Sequence, residues 1–492
     1  MNKVVNLFAL TFLFNLWSCE KKSREFPVKS SNLLATISDK SIMVNDFIKR
    51  CEYVPRPVYC RANNYIHKKI ALNSLIAEKL LSLEFDKENL QMSEAQKSIV
   101  KGQEEQAMRL LMLKSFGYDS VKVDLEKVRK LVSLDQRTYD VRFVTFEQKY
   151  NKLISLQSKN ISLNELIKKI NSTPKSENKL VRKNDGMLDK VHDVLFRQEP
   201  FKEQFYGPFK LNKDQIICFE INSWTTSIDV TEKAKKERWD SVYNQYEEEE
   251  VLKRYGSYVK RLMKGKSLNY NPEIFEIFSN KLRKIYLIEK EKKEAVINNK
   301  IWEINDKTEI TSFTDIQKIN SEVLLRHESN DYTVKELLNL IKKHPLVFRN
   351  KRTNKELFSN ELKYAIADLF RDFHITKKAY DLGFDDSQSI KIIKEKWNDH
   401  IKSTIYKKEY FGLQNDKSAS LNILSNKIDS LQILYSDVIK IDTDKFEKIQ
   451  LSSIDMNVNY SNQAYTKLEP SFPILTDDHL LDYGQKFSFD DL

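Results

Sequence analysis

The chain has 492 residues, of which 40% are hydrophobic, enough apolar surface for about two or three domains with real cores, so a wholly disordered protein is excluded. Its net charge of +11 arises from 82 basic and 71 acidic residues interleaved along the sequence, the pattern of solvated helix faces and not of a segregated basic footprint; no nucleic-acid partner is expected. Nine glycines are present, no two within five residues of each other, which excludes the GxGxxG and GxxxxGK phosphate loops.

At the N-terminus Lys3 is followed by an apolar run, Val4 to Trp17, of 14 residues. A membrane-spanning helix needs roughly 20, so residues 1–18 read as a signal peptide. The run ends in Leu16-Trp17-Ser18-Cys19, which resembles the bacterial lipobox, where a small residue precedes a cysteine that is acylated and becomes the mature N-terminus, although Trp17 is bulkier than that pattern usually allows. Cys19 is therefore the expected lipidation site. The two or more acyl chains such a cysteine usually carries would hold the protein on a membrane, with residues 19–34 as a polar tether.

Residues 35–136 read as a helical module. ISDKSIMVNDF alternates around a polar turn and leads into a short helix, and Ile66, Ile70, Leu75, Leu80 and Leu83 recur near helical spacing. Ser93-Glu94-Ala95-Gln96 offers a capping box for a further helix, which carries Met108, Leu110, Leu111 and Met112. Cys51 and Cys60 either pair across the VPRP turn or remain free thiols; with Cys218 they are too scattered for a zinc site. The seven histidines (67, 192, 327, 344, 374, 400 and 479) show no HExxH or other ligand spacing, so no metal and no cofactor is expected.

Between residues 137 and 228 the period changes. YDVRFVTF reads as a strand, Ser162-Leu163-Asn164-Glu165 as a capping box opening the helix LNELIKKI, and QIICFEIN as a buried strand, together a small α+β domain. Residues 229–300 return to a helical period, with Trp239, Val242, Tyr246, Leu252, Tyr255, Val259 and Leu262 on one side. A second helical module is expected over 301–410 as a repeat of the first. Val44, Phe47 and Ile48 match Val334, Leu337 and Leu338 at an offset of 290, and Ile76, Leu83, Phe85 and Asp86 match Ile375, Leu382, Phe384 and Asp385 at an offset of 299. Residues 411–492 read as a helix, a short strand and an extended tail. The expected fold class is thus mainly α with an inserted α+β domain.

Helical module, α+β insert and further helices on a lipoprotein resemble the SurA/PpiC-type parvulin chaperones of bacterial envelopes. The resemblance rests on ATISDKSIMVNDFIKR followed by NSLIAEKLLSLE, and on LFRQEPFKEQFYGPFKLNKDQIICFEIN, which runs parallel to the family's closing segment through Leu195-Phe196, Gly207-Pro208 and Gln215-Ile216-Ile217. It implies SurA-like helical modules around a degenerate parvulin-like domain. It also implies a substrate groove at Phe143, Met187, Leu195, Phe196 and Gln215. Active parvulins usually carry histidine in the first and the closing strand; Phe143 and Gln215 stand at the corresponding positions, and the Gly-Gly-Asp-Leu-Gly signature is reduced to Asn184-Asp185-Gly186-Met187-Leu188-Asp189. No catalytic residue is carried over. The resemblance then implies an envelope lipoprotein on the periplasmic side, anchored to the outer membrane, that binds unfolded or nascent envelope proteins with weak or no prolyl isomerase activity. An active isomerase with a divergent site, or a docking lipoprotein of an export machine, are the alternatives.

Overall fold

The computed structural model describes residues 32–157, 161–286, 316–349, 355–411, 417–452 and 463–486. The signal peptide and Cys19 lie outside them. The described residues are mainly helical with three small sheets. It divides into two compact units, residues 113–259 and the remainder on either side of them, with the boundaries falling inside two long helices.

The larger unit begins with a hairpin, β1 (Leu33–Ile37) and β2 (Lys40–Met43), that runs straight into α1 (Val44–Glu52). Two long helices follow, α2 (Tyr65–Lys87) and α3 (Glu94–Phe116). The start of α3 is the expected capping box: the Ser93 amide donates to the Gln96 side chain at 2.8 Å, and the Gln96 amide donates to Ser93 Oγ at 3.3 Å. Met108 and Met112 are fully buried, so they belong to the core.

The smaller unit holds α4 (Leu125–Asp135), β3 (Arg137–Glu147), α5 (Asn151–Ser155), α6 (Leu163–Ile170), β4 (Lys175–Val181), α7 (Asp189–Phe196), β5 (Phe205–Lys210), β6 (Gln215–Thr226) and most of α8 (Glu232–Leu262). It extends beyond the 137–228 expected for the insert, because Val128, Leu131 and Leu134 of α4 pack with Val242 and Tyr246 of α8. On α8 the expected apolar side is partly displaced, with Leu252 exposed and its neighbour Val251 buried. The sheet has the order β4-β3-β6-β5, antiparallel throughout.

The larger unit resumes with β7 (Leu268–Tyr270), α9 (Pro272–Tyr286), a second hairpin of β8 (Val323–His327) and β9 (Asn330–Thr333), then α10 (Val334–Lys343), α11 (Phe358–Asp381) and α12 (Gln388–Phe411). Hairpin, short helix and two long helices therefore occur twice in the same order. Both hairpins turn through a non-glycine residue in the left-handed region, Ser38 (φ 56°) and Glu328 (φ 53°). The chain closes with α13 (Lys417–Leu434), β10 (Ile439–Ile441), α14 (Thr443–Lys448) and β11 (Gln485–Lys486). Here β10 pairs with β1, so the C-terminal strands complete the sheet of the first hairpin, while β7 completes that of the second.

The third helix of each repeat packs on the other repeat. Asp399 of α12 takes Lys79 of α2 at 2.7 Å and Lys40 of β2 at 2.7 Å, and His400 of α12 meets Glu78 of α2 at 2.9 Å. In return, Arg109 of α3 donates to Thr376 of α11 at 2.8 Å. Gly102 of α3 lies so close to the end of α10 that a Cβ there would overlap the Lys343 carbonyl oxygen and the Tyr465 ring.

Candidate functional site

In the smaller unit, β3 is flanked by β4 and β6, and its alternation divides its side chains between two faces. Val144 and Phe146, with Ile216 and Cys218 of β6, lie under α5 and α6. The other face carries Tyr139, Val141 and Phe143 of β3 with Phe219 and Ile221 of β6, packed against Val191, Val194, Leu195 and Phe196 of α7. Phe143 stands directly opposite Phe219 in the antiparallel register. Around Phe219 are the rings of Phe143 at 5.7 Å, Tyr206 at 5.2 Å and Phe209 at 6.0 Å, distances at which aromatic pairs attract beyond their burial. The Tyr206 hydroxyl is engaged by the Phe201 amide at 2.7 Å and the Gln204 side chain at 2.6 Å. His192, on α7 against Phe196, is the imidazole near this face; burial and the adjacent Arg197 hold it below the usual histidine range.

Four of the five expected groove residues are brought together here. Phe143 and Met187 are partly exposed at the cluster, whereas Leu195 and Phe196 are interior and support the face instead of lining it. Gln215 is not brought in. It opens β6 opposite Glu147, exposed, and accepts a hydrogen bond from Asn212 at 2.9 Å. The register places it four residues along the strand from Phe219, roughly 13 Å away at the usual strand rise. Phe219 is thus the β6 residue that faces Phe143; alternation alone does not separate it from Gln215, because residues four apart on a strand share a face. The arrangement is an aromatic surface suited to apolar side chains.

The larger unit offers a cleft of about 660 Å³ lined by Leu268, Asn269, Tyr270, Phe275, Ser279 and Lys363, among others. Consecutive strand residues point to opposite faces, so a cleft touching all three residues of β7 runs along that strand's edge. As an edge strand of its sheet, β7 presents backbone groups for further pairing. Tyr270 Oη donates to the Lys363 carbonyl at 3.2 Å, and the Lys363 ammonium sits 5.2 Å from the Phe275 ring centre, which fixes the cleft's wall.

Histidines far apart in the sequence also meet in this unit. His327, at the end of β8, and His374, on α11, are buried, with Nε2 atoms 2.7 Å apart, and Glu328 stands beside them. Sequence spacing missed this group because a hairpin turn and a helix 47 residues later supply it. Cys51 and Cys60 are free and buried; burial pushes their thiols up to about 12 and about 11, so both are unreactive. Among the described residues no helix is long and apolar enough to cross a membrane. No family model matches this chain, no curated protein matches it and no solved structure matches its fold.

Proposed function

We propose that the protein is an envelope lipoprotein chaperone of the SurA/PpiC parvulin type that binds unfolded client proteins and does little or no prolyl isomerisation. The observation that carries this reading is the pairing of Phe143 with Phe219 at the centre of an aromatic sheet face. Isomerisation requires stabilising a twisted amide across a barrier of about 18–20 kcal/mol, which calls for polar groups placed around the peptide bond. Two phenyl rings have no hydrogen-bonding atoms to offer, but they do offer apolar area to a client side chain.

Three further features support the same reading. The smaller unit runs strand, helices, strand, helix and a closing hairpin, in keeping with the parvulin arrangement the sequence resembles. The repeated hairpin-and-helix modules fit SurA-like walls on which extended segments could lie. The cleft beside β7 would take such a segment by edge pairing, with main-chain hydrogen bonds supplying sequence-independent affinity. Anchoring through Cys19, at the periplasmic side of the outer membrane, completes the proposal.

Two assays on the purified chain test it. Protease-coupled turnover of a proline peptide should fall more than about tenfold below an active parvulin; a value within about tenfold, near 1.4 kcal/mol in barrier terms, would overturn the non-enzymatic assignment. The chain should suppress aggregation of an unfolded outer-membrane protein at near-stoichiometric ratio, and no suppression would overturn the chaperone assignment. Cys19→Ala should move the protein from the membrane fraction to the soluble one; fatty-acid labelling that is equal in wild type and variant would refute the anchor.

A further inference from the structure

We infer that His327, His374 and Glu328 form a binding site for one divalent transition-metal ion of the zinc class, clamping the tip of the β8–β9 hairpin to α11. Their ligand atoms all lie within 4.8 Å of one another. Both imidazoles are buried, His327 at 2% and His374 at 7% exposure, and their Nε2 atoms face each other at 2.7 Å. Two bare nitrogens cannot approach so closely, so without an ion one of them carries the shared proton.

His327 decides which nitrogen does. Its Nδ1 lies 2.9 Å from the Ser267 carbonyl, an acceptor only, so Nδ1 bears the hydrogen and a neutral ring presents a bare Nε2 to His374. A ring N–H held by a backbone carbonyl is also the device that orients a metal-ligating histidine. Replacing the shared proton with a tetrahedral ion at about 2.0–2.1 Å from each nitrogen sets the nitrogens roughly 3.3 Å apart. The rings then separate by only about half an ångström.

Glu328 supplies an anionic third ligand from the turn, its side chain 44% exposed, and leaves a position for water. Its present partner is the ammonium of Lys266, which occupies the role a bound cation would take. Two imidazoles and one carboxylate favour zinc, copper, nickel or cobalt over magnesium or calcium. Among the described residues, the histidine–carboxylate contacts His344–Asp372 and His400–Glu78 each bring one imidazole to a carboxylate that also pairs with an arginine.

The test is zinc titration of the full-length, chelator-treated chain in mild detergent, with cobalt absorption as the geometric readout. We expect about one equivalent of zinc bound, a tetrahedral cobalt band, and no displacement by a large excess of magnesium. His374→Gln should abolish binding, and Glu328→Gln should weaken it by at least about tenfold. Lys266→Gln should tighten binding, since it frees Glu328 and removes a repelling charge; a purely structural ion pair would not give that result. His344→Gln should leave binding unchanged. If His374→Gln loses its cooperative melt, Glu328→Gln on the exposed turn decides alone. No bound equivalent in the wild type, or an equivalent retained at full affinity in Glu328→Gln, overturns the site.

Discussion

The repeat that begins at Leu33 and the one that begins at Val323 are built from the same local parts, yet each is finished by different material. In both, a third strand pairs antiparallel with the first strand of the hairpin. For the second repeat that strand is β7, which precedes the hairpin; for the first it is β10, from near the other end of the chain. Their interiors differ as well. The first repeat buries charge, with Arg50 on Glu78 at 2.9 Å, whereas α11 of the second carries its arginine pairs nearer the surface, as in Arg349–Asp368. A shared pattern of hairpin and helix thus specifies a module without specifying what closes it, and the closing element sets where the module is vulnerable.

The strongest way to break the comparison is to remove residues 439–492. The first core loses Ile439, Ile441, Phe446, Ile449, Leu451, Phe472, Leu475 and Tyr483, while the second core keeps all its members. A domain's net stability is only about 5–15 kcal/mol, so the first repeat should unfold and the second remain. Hydrogen exchange resolved by segment would show protection lost over residues 33–87 and retained over 323–343 and 358–370; uniform loss would mean the two cores fold as one.

Next in size is Glu78→Gln. Glu78 is 1% exposed and takes Arg50 and His400, so neutralising it strands a buried guanidinium at a cost of about 3–5 kcal/mol. The corresponding change on the second repeat, Asp368→Asn, touches partly exposed arginines and should cost less than about 1 kcal/mol. Denaturant midpoints of the two variants measure the contrast.

Gly102→Ala tests the exchange of helices by the sign of its effect. In an ordinary helix this change stabilises by about 0.5–1 kcal/mol. Against the Lys343 carbonyl and Tyr465 it should destabilise, by about 1–3 kcal/mol, and a thermal melt reads the direction.

The same buried carboxylate gives a pH signature. Burial raises the Glu78 pKa, but the charge of Arg50 and the hydrogen bond from His400 outweigh it and hold it at about 2, below the ordinary 4.5. A depressed carboxyl stabilises the fold above the unfolded value and loses that contribution as pH falls from 4.5 towards 2. Stability measured across that window should drop in the wild type and drop less in Glu78→Gln.

The smallest effect is at the helix starts. Thr333 caps α10 with a reciprocal capping box to Glu336, whereas Met43 at the start of α1 makes no side-chain cap. Thr333→Ala should cost about 1 kcal/mol, and Met43→Ala should lose packing but no cap.

What the sequence determined by itself was local. Capping boxes at Ser93 and Ser162, the strand alternation of 139–146 and the recurrence of Val44 and Phe47 as Val334 and Leu337 depend on neighbours within about one or two turns, whose energies are fixed by adjacent residues. The grouping of Phe143 with Met187 rests on the family resemblance and on no local period; the two meet at one apolar face. Tertiary structure decided the rest. Phe219 and not Gln215 faces Phe143 because strand register depends on the turn and on the packing of both faces, which a run such as QIICFEIN does not reveal. The pairing of β10 with β1, the burial of Glu78 against Arg50 and His400, and the meeting of His327 with His374 join residues far apart in the chain. No local period encodes such contacts, because their free energy appears only once the intervening chain has been ordered.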